Sequence, residues 1–242
     1  HKKQPKHVKH HAAKSIIRFS NKDMTADRIS ALLNLYGIPM AKTILVRNKK
    51  EASLALKNIE SPLAMKISSP QILHKTDVGG VILGIKNETE AEKAFEKIIA
   101  NVKKNRPEAS VRGVTAMEMA KEGLELIIGA KRDPIFGPTL IFGFGGIFVE
   151  LVSDFSVAIG PFSEEKIKEM IKGTRVSKII EGYRHNNKYN EKNLISILYG
   201  LGQLITEHEE IVSVEVNPLV LDHNGDGAIG LDAKIELEQN SR

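Results

Sequence analysis

A chain of 242 residues with 41% hydrophobic content is long enough to bury a core, as one large domain or two small ones. Its net charge of +5 comes almost wholly from Lys2, Lys3, Lys6 and Lys9, so the body is near neutral; with no tryptophan and 5% aromatics it offers neither a field nor stacking platforms for nucleic acid. The absence of cysteine excludes disulfides, thiolate metal sites and a cysteine nucleophile, no apolar run approaches the ~20 residues of a membrane helix, and the start lacks an apolar signal core, so a cytoplasmic location is expected.

Residues 1–14 are rich in Lys and His, a composition that reads as a disordered tail or one held by docking on a partner chain. His7, His10 and His11 crowd together there, but no carboxylate accompanies them to complete a metal site. From Thr25 to Tyr36, Ile29, Leu32, Leu33 and Tyr36 fall at helical spacing before the stop signal of Gly37 and Pro39. A β-prone run at Thr43–Val46 follows. Asn48-x-x-Glu51 and Asn87-x-x-Glu90 then open two capped helices, the second carrying Ala91, Ala94, Phe95, Ile98 and Val102 on one face. Between them lie strands ending at Ile67 and spanning Val81–Ile85.

Past Pro107 the pattern becomes sheet-dominated, with strands expected at 111–119, 124–131, 139–142, 148–152 and 156–160. Helices return at 163–172 and 190–207. The end reads as a hairpin, 212–221 with 230–237, around turn-favouring Asn-Gly and Asp-Gly pairs. His208 near a helix end and His223 in the turn read as solvated, and His185 as part of an exposed loop. The expected division is a basic extension over 1–22, a subdomain over 23–110 and a second over 111–242.

Three places carry chemistry. Lys66 ends a short strand and can neutralise phosphate, while His74, in Leu73-His74-Lys75-Thr76-Asp77-Val78-Gly79-Gly80, is a nucleophile at neutral pH. Asn217, in Glu215-x-Asn217-Pro218, and Asp232, in Asp232-x-Lys234, put oxygen ligands on paired strands, as Mg²⁺ requires. Glu118 and Glu125 flank a strand-to-linker segment suited to an adenine edge and ribose hydroxyls, and Arg132 could brace phosphate. Gly143-Phe144-Gly145-Gly146 lacks the spacing of a dinucleotide-binding turn and is not read as one.

Taken in order, these pieces resemble the ATP-grasp fold, an α/β (α+β) architecture of two subdomains with nucleotide bound between them. Val214 to Val220 and Leu231-Asp232-Ala233-Lys234 resemble the β subunit of succinyl-CoA synthetase. The His-Lys-Thr-Asp-Val-Gly-Gly segment at 74–80 is similar, more narrowly, to the β subunit of ADP-forming (NDP-forming) acyl-CoA synthetases. The resemblance implies Lys66 and Arg132 at the nucleotide phosphates, Glu118 and Glu125 around adenine and ribose, Asn217 and Asp232 on Mg²⁺, His74 as the phosphorylated histidine and Glu215 orienting an imidazole.

It also implies an acid–thiol ligase activity, acyl-CoA + ADP + phosphate giving carboxylic acid + CoA + ATP. An α subunit would carry the CoA-binding and first phosphohistidine domains in an α2β2 assembly, with a mobile His74 loop eased by Gly79 and Gly80. The succinyl enzyme has a glycine-rich loop where this chain places 72–76, so loop contacts do not transfer directly. Two alternatives stand beside this reading: a carboxylate–amine or carboxylate–thiol ligase without a phosphohistidine, and a non-catalytic nucleotide-binding regulatory subunit.

Overall fold

The computed structural model describes residues 6–19, 24–72, 74–146, 154–182, 189–223 and 227–238. The strand expected at 148–152, His185 and the turn residues 224–226 lie outside them. The chain begins with a helix, α1 (Lys6–Arg18), where composition pointed to disorder. Ala13 and Ile17 are four apart and buried, and His10 falls on the same stripe. Helix α2 (Ala26–Leu35) follows at the expected place, burying Ile29, Leu32 and Leu33.

Next come β1 (Thr43–Val46), α3 (Lys49–Ala55), β2 (Leu63–Ser68), β3 (Val81–Ile85), α4 (Glu88–Asn105) and β4 (Gly113–Glu118). The strands form an antiparallel sheet of order β1-β4-β2-β3. Both expected capping boxes form: the N–H of Glu51 donates to Asn48 Oδ1 at 2.9 Å and that of Glu90 to Asn87 Oδ1 at 2.9 Å. The glutamates reach back to the N–H groups of Arg47 and Lys86, at 2.8 and 2.7 Å, so the orphan donors of each first turn are paired. Leu63, Met65 and Ile67 alternate inward along β2 and meet Ile98 and Val102 of α4 in one apolar cluster.

The remaining elements are β5 (Gly123–Asp133), β6 (Gly137–Phe144), β7 (Phe155–Ile159), α5 (Glu164–Lys172), α6 (Val176–Ile180), α7 (Glu191–Glu207), β8 (Ile211–Asp222), β9 (Ala228–Gly230) and β10 (Ala233–Leu237). The second sheet has the order β10-β8-β5-β6-β7, with β9 also paired to β8. Leu126, Ile128 and Ala130 of β5 and Val214 and Val216 of β8 point into a core shared with α7, which buries Leu194, Leu198, Leu201 and Ile205. The short α6 carries no periodic signal in the sequence. No described helix is long and apolar enough to cross a membrane.

Two compact units result: residues 1–40 with 120–242, and residues 41–119. The division differs from the expected boundaries at 22/23 and 110/111. β4 inserts between β1 and β2, which carries the smaller unit on to residue 119, and α2 packs in the larger unit near β10, with Met40 bridged to Gly230. Strand partners distant in sequence set these boundaries, which local composition does not reveal.

Candidate active site

In the smaller unit, His74 is exposed at the head of a turn anchored on both sides, since Ile72 and Val78 are buried in the core. The turn closes through Gly79 N–H to Thr76 O at 2.9 Å and Gly80 N–H to Lys75 O at 2.8 Å, and Asn101 and Asn105 of α4 donate to the carbonyls of Gly79 and Val78. A Cβ on Gly80 would come within 2.7 Å of Ile67 Cγ2 and 2.9 Å of Lys75 O. Gly80 is therefore closely packed at the base of the turn.

Lys66 is half-buried on β2, opposite Thr115 of β4. Glu118 ends β4 opposite Leu63, and its Oε2 accepts from the N–H of Lys42 at 3.2 Å. Because strand side chains alternate, Lys66 and Glu118 leave opposite faces of this sheet.

In the larger unit, the hairpin of β8 with β9 and β10 is interrupted between Gly230 and Ala233. There the N–H of Asn217 donates to Asp232 O at 3.0 Å and that of Leu231 to Pro218 O at 2.9 Å, across a cis Asn217–Pro218 bond. Asn217 and Asp232 thus sit opposite each other, and two residues along Glu215 pairs with Lys234. Asn217 Oδ1 accepts from the N–H of Gly146 at 3.2 Å. Gly146 has φ +62°, and a Cβ there would fall 1.8 Å from Glu125 Oε2. So the glycine turn, unassigned from sequence, brings Glu125, Gly146 and Asn217 together. Its signal was a left-handed glycine beside a strand end, legible only once β5 and β8 are known to pair.

The donors at the interruption suit a hard cation. Asp232 is exposed, and the amide oxygen of Asn217 keeps a lone pair beyond the one Gly146 uses.

Arg132 is engaged at a helix end. Its Nη2 donates to the carbonyls of Ile205 and, at 3.1 Å, His208, capping the C-terminal end of α7. His208 and His223 also differ from expectation: His208 is fully buried, and His223, half-buried, places Nδ1 2.7 Å from the hydroxyl of Tyr189.

Residues 16–237 match the ATP-grasp domain family. The β subunit of acetate–CoA ligase [ADP-forming] I from Pyrococcus furiosus is 39% identical over 217 residues, covering 90% of this chain and 93% of that protein. The chain belongs to this ATP-grasp family of ADP-forming acetate–CoA ligase β subunits. The 4-hydroxybutyrate–CoA ligase [ADP-forming] of Nitrosopumilus maritimus is 38% identical over 206 residues, and the chain spans only 30% of that longer relative. A solved structure of the dinucleotide-forming acetyl-coenzyme A synthetase 1 of Ca. Korarchaeum cryptofilum, with coenzyme A, Ca-AMPCP and HgCl+, superposes with a TM-score of 0.84 at 36% identity, covering 94% of this chain and 99% of that one. The same enzyme with coenzyme A and Mg-AMPPCP, its phosphohistidine segment pointing towards the nucleotide binding site, gives 0.79 at 33% identity, covering 95% and 100%. Family membership bears out the ATP-grasp reading of the chain.

Proposed function

We propose that this chain is the nucleotide-handling β subunit of an ADP-forming acyl-CoA synthetase, which converts acyl-CoA, ADP and phosphate into carboxylic acid, CoA and ATP. The observation that carries the proposal is the presentation of His74, exposed between two core-anchored residues of an internally bonded turn. A histidine there is offered to a reactant at the protein surface.

Written towards phosphohistidine, an imidazole nitrogen of His74 bonds to the γ-phosphorus of ATP as the bond to the β,γ-bridging oxygen breaks. That oxygen leaves with the electron pair as ADP. The ring then carries a positive charge, which Glu215 is assigned to offset while orienting the imidazole. Lys66 is assigned to the phosphate oxygens, Glu118, at the end of β4, to the base, and Glu125 to the ribose. Asn217 and Asp232 would hold Mg²⁺, which when bound supplies neutralisation of phosphate charge. The same step run backwards makes ATP from ADP, because a phosphoramidate retains much of the transfer potential.

The thioester chemistry is assigned to an α subunit carrying the CoA-binding and first phosphohistidine domains, in an α2β2 complex. The β-subunit relatives support such a partner, and so do longer relatives in which this region is one part. The test is to incubate the complex with Mg-ATP labelled on the γ-phosphate. Acid-labile, base-stable label on the β chain is expected, and it disappears in His74→Ala. Label persisting in that variant would remove His74 from the role, and turnover without any label would favour a direct ligase.

A further inference from the structure

Helix α7 ends in Glu207-His208, and α1 lays His10 against that end. The rings of His10 and His208 stack with centroids 5.1 Å apart and planes 17° from parallel. One carboxylate oxygen of Glu207 and one ring nitrogen from each histidine lie within 4.8 Å of one another. His208 is fully buried, His10 half-buried and Glu207 exposed, so the cluster reaches from the core to the surface.

A second, independent observation concerns His208 itself. The hydroxyl of Tyr36 donates its single proton to Glu207 Oε2 at 2.6 Å, and its oxygen lies 2.8 Å from His208 Nε2. The phenol proton being used, Nε2 must carry the hydrogen of that second bond, which leaves the lone pair on Nδ1. Nδ1 is buried with no hydrogen-bond partner. A buried ring whose tautomer is fixed by one neighbour, with its other nitrogen unpaired, is how proteins prepare a histidine ligand.

We propose that His10, Glu207 and His208 form a binding site for a divalent transition metal ion, zinc being the ion their donors suit. Two imidazoles and a carboxylate are borderline-soft ligands that favour zinc over magnesium, with a fourth position for water. Metal–nitrogen bonds of ~2.0–2.1 Å in a tetrahedron hold ligand atoms about 3.3 Å apart, so binding draws the ligand atoms together by roughly 1.5 Å at most and turns the His10 ring out of its stack on His208, to aim an in-plane lone pair at the ion. Side-chain rotation of His10 and Glu207 supplies that movement. The tail histidines lack a carboxylate in sequence, and the fold provides one from the far end of the chain. The ion would clamp α1 to the C-terminal end of α7.

The test is calorimetric titration of the chelator-stripped full-length chain with zinc chloride, alongside His10→Ala, Glu207→Gln and, as control, His11→Ala. One zinc per chain is expected. Its affinity falls at least about tenfold in His10→Ala and in Glu207→Gln, and is unchanged in His11→Ala. Zinc also raises the melting temperature of the wild type but not of His10→Ala. Circular dichroism checks that each variant is folded. Absence of saturable zinc binding, unchanged affinity in both cluster variants, or loss of binding in His11→Ala would overturn the site.

Discussion

Asn217 and Asp232 face each other at an interruption of the C-terminal hairpin, joined by a backbone bond of 3.0 Å from Asn217 N–H to Asp232 O. The interruption turns two ordinary polar residues into a matched pair of oxygen donors. Asp232→Asn and Asn217→Ala should lower Mg²⁺-dependent phosphorylation of the chain by about a hundredfold or more, because several kcal/mol of charge stabilisation are lost. The exposed position of Asp232 predicts little change in melting temperature for Asp232→Asn. Filter-bound label and thermal denaturation of the same samples separate the two effects.

Gly80 supports His74 from below. In Gly80→Ala the new methyl meets Ile67 and the carbonyl of Lys75, and one of them must move. Overpacking of this kind costs about 1–3 kcal/mol, and the turn displaced is the one that presents His74. Lower stability in denaturant titration together with slower phosphorylation is expected. Normal labelling rates in a destabilised variant would show that the placement of the turn is unimportant.

Arg132 separates two roles by a single substitution. If its work is to cap α7, Arg132→Gln loses charge-assisted bonds worth roughly 1.5–3 kcal/mol each, while nucleotide affinity holds. Chemical denaturation and nucleotide titration give the answer. Weakened nucleotide binding at unchanged stability would restore the phosphate-bracing role.

The capping carboxylate of Glu90 carries a pH dependence. Its backbone bond to Lys86 holds its pKa below the ordinary 4.5, so the native state favours the charged form. Stability from this group is therefore present above about pH 4.5 and fades as pH falls from there through the lowered native value. Wild type should be more stable than Glu90→Gln at neutral pH, with the gap closing in acid. Melting curves across that range decide it.

Local rules made much of the molecule legible. Asn48 with Glu51 and Asn87 with Glu90 act within a few residues, so their caps formed as read. The pairing of the Glu215–Asn217 and Asp232–Lys234 strands followed from turn chemistry and alternation. What stayed hidden depends on distant chain. The stripe of His10, Ala13 and Ile17 is masked by surrounding lysines, and it becomes a helix face only against α2 and α7. The burial of His208 and the capping work of Arg132 need the end of α7 to lie beside β5. The small unit's true limits need β4 to find β1, some seventy residues earlier.

That last pairing shapes how the chain can fold. Thr43 pairs with Met117, and the N–H of Glu118 donates to Lys42 O, so the 41–119 segment enters and leaves its own sheet side by side. It is a self-closing insertion in a larger unit whose contact between Met40 and Gly230 bridges the start and end of the chain. Formed first, the insertion shrinks a loop of about eighty residues to a few, relieving the larger unit of about 3 kcal/mol of closure entropy. The relief is reciprocal: either unit, once formed, makes closing the other less costly.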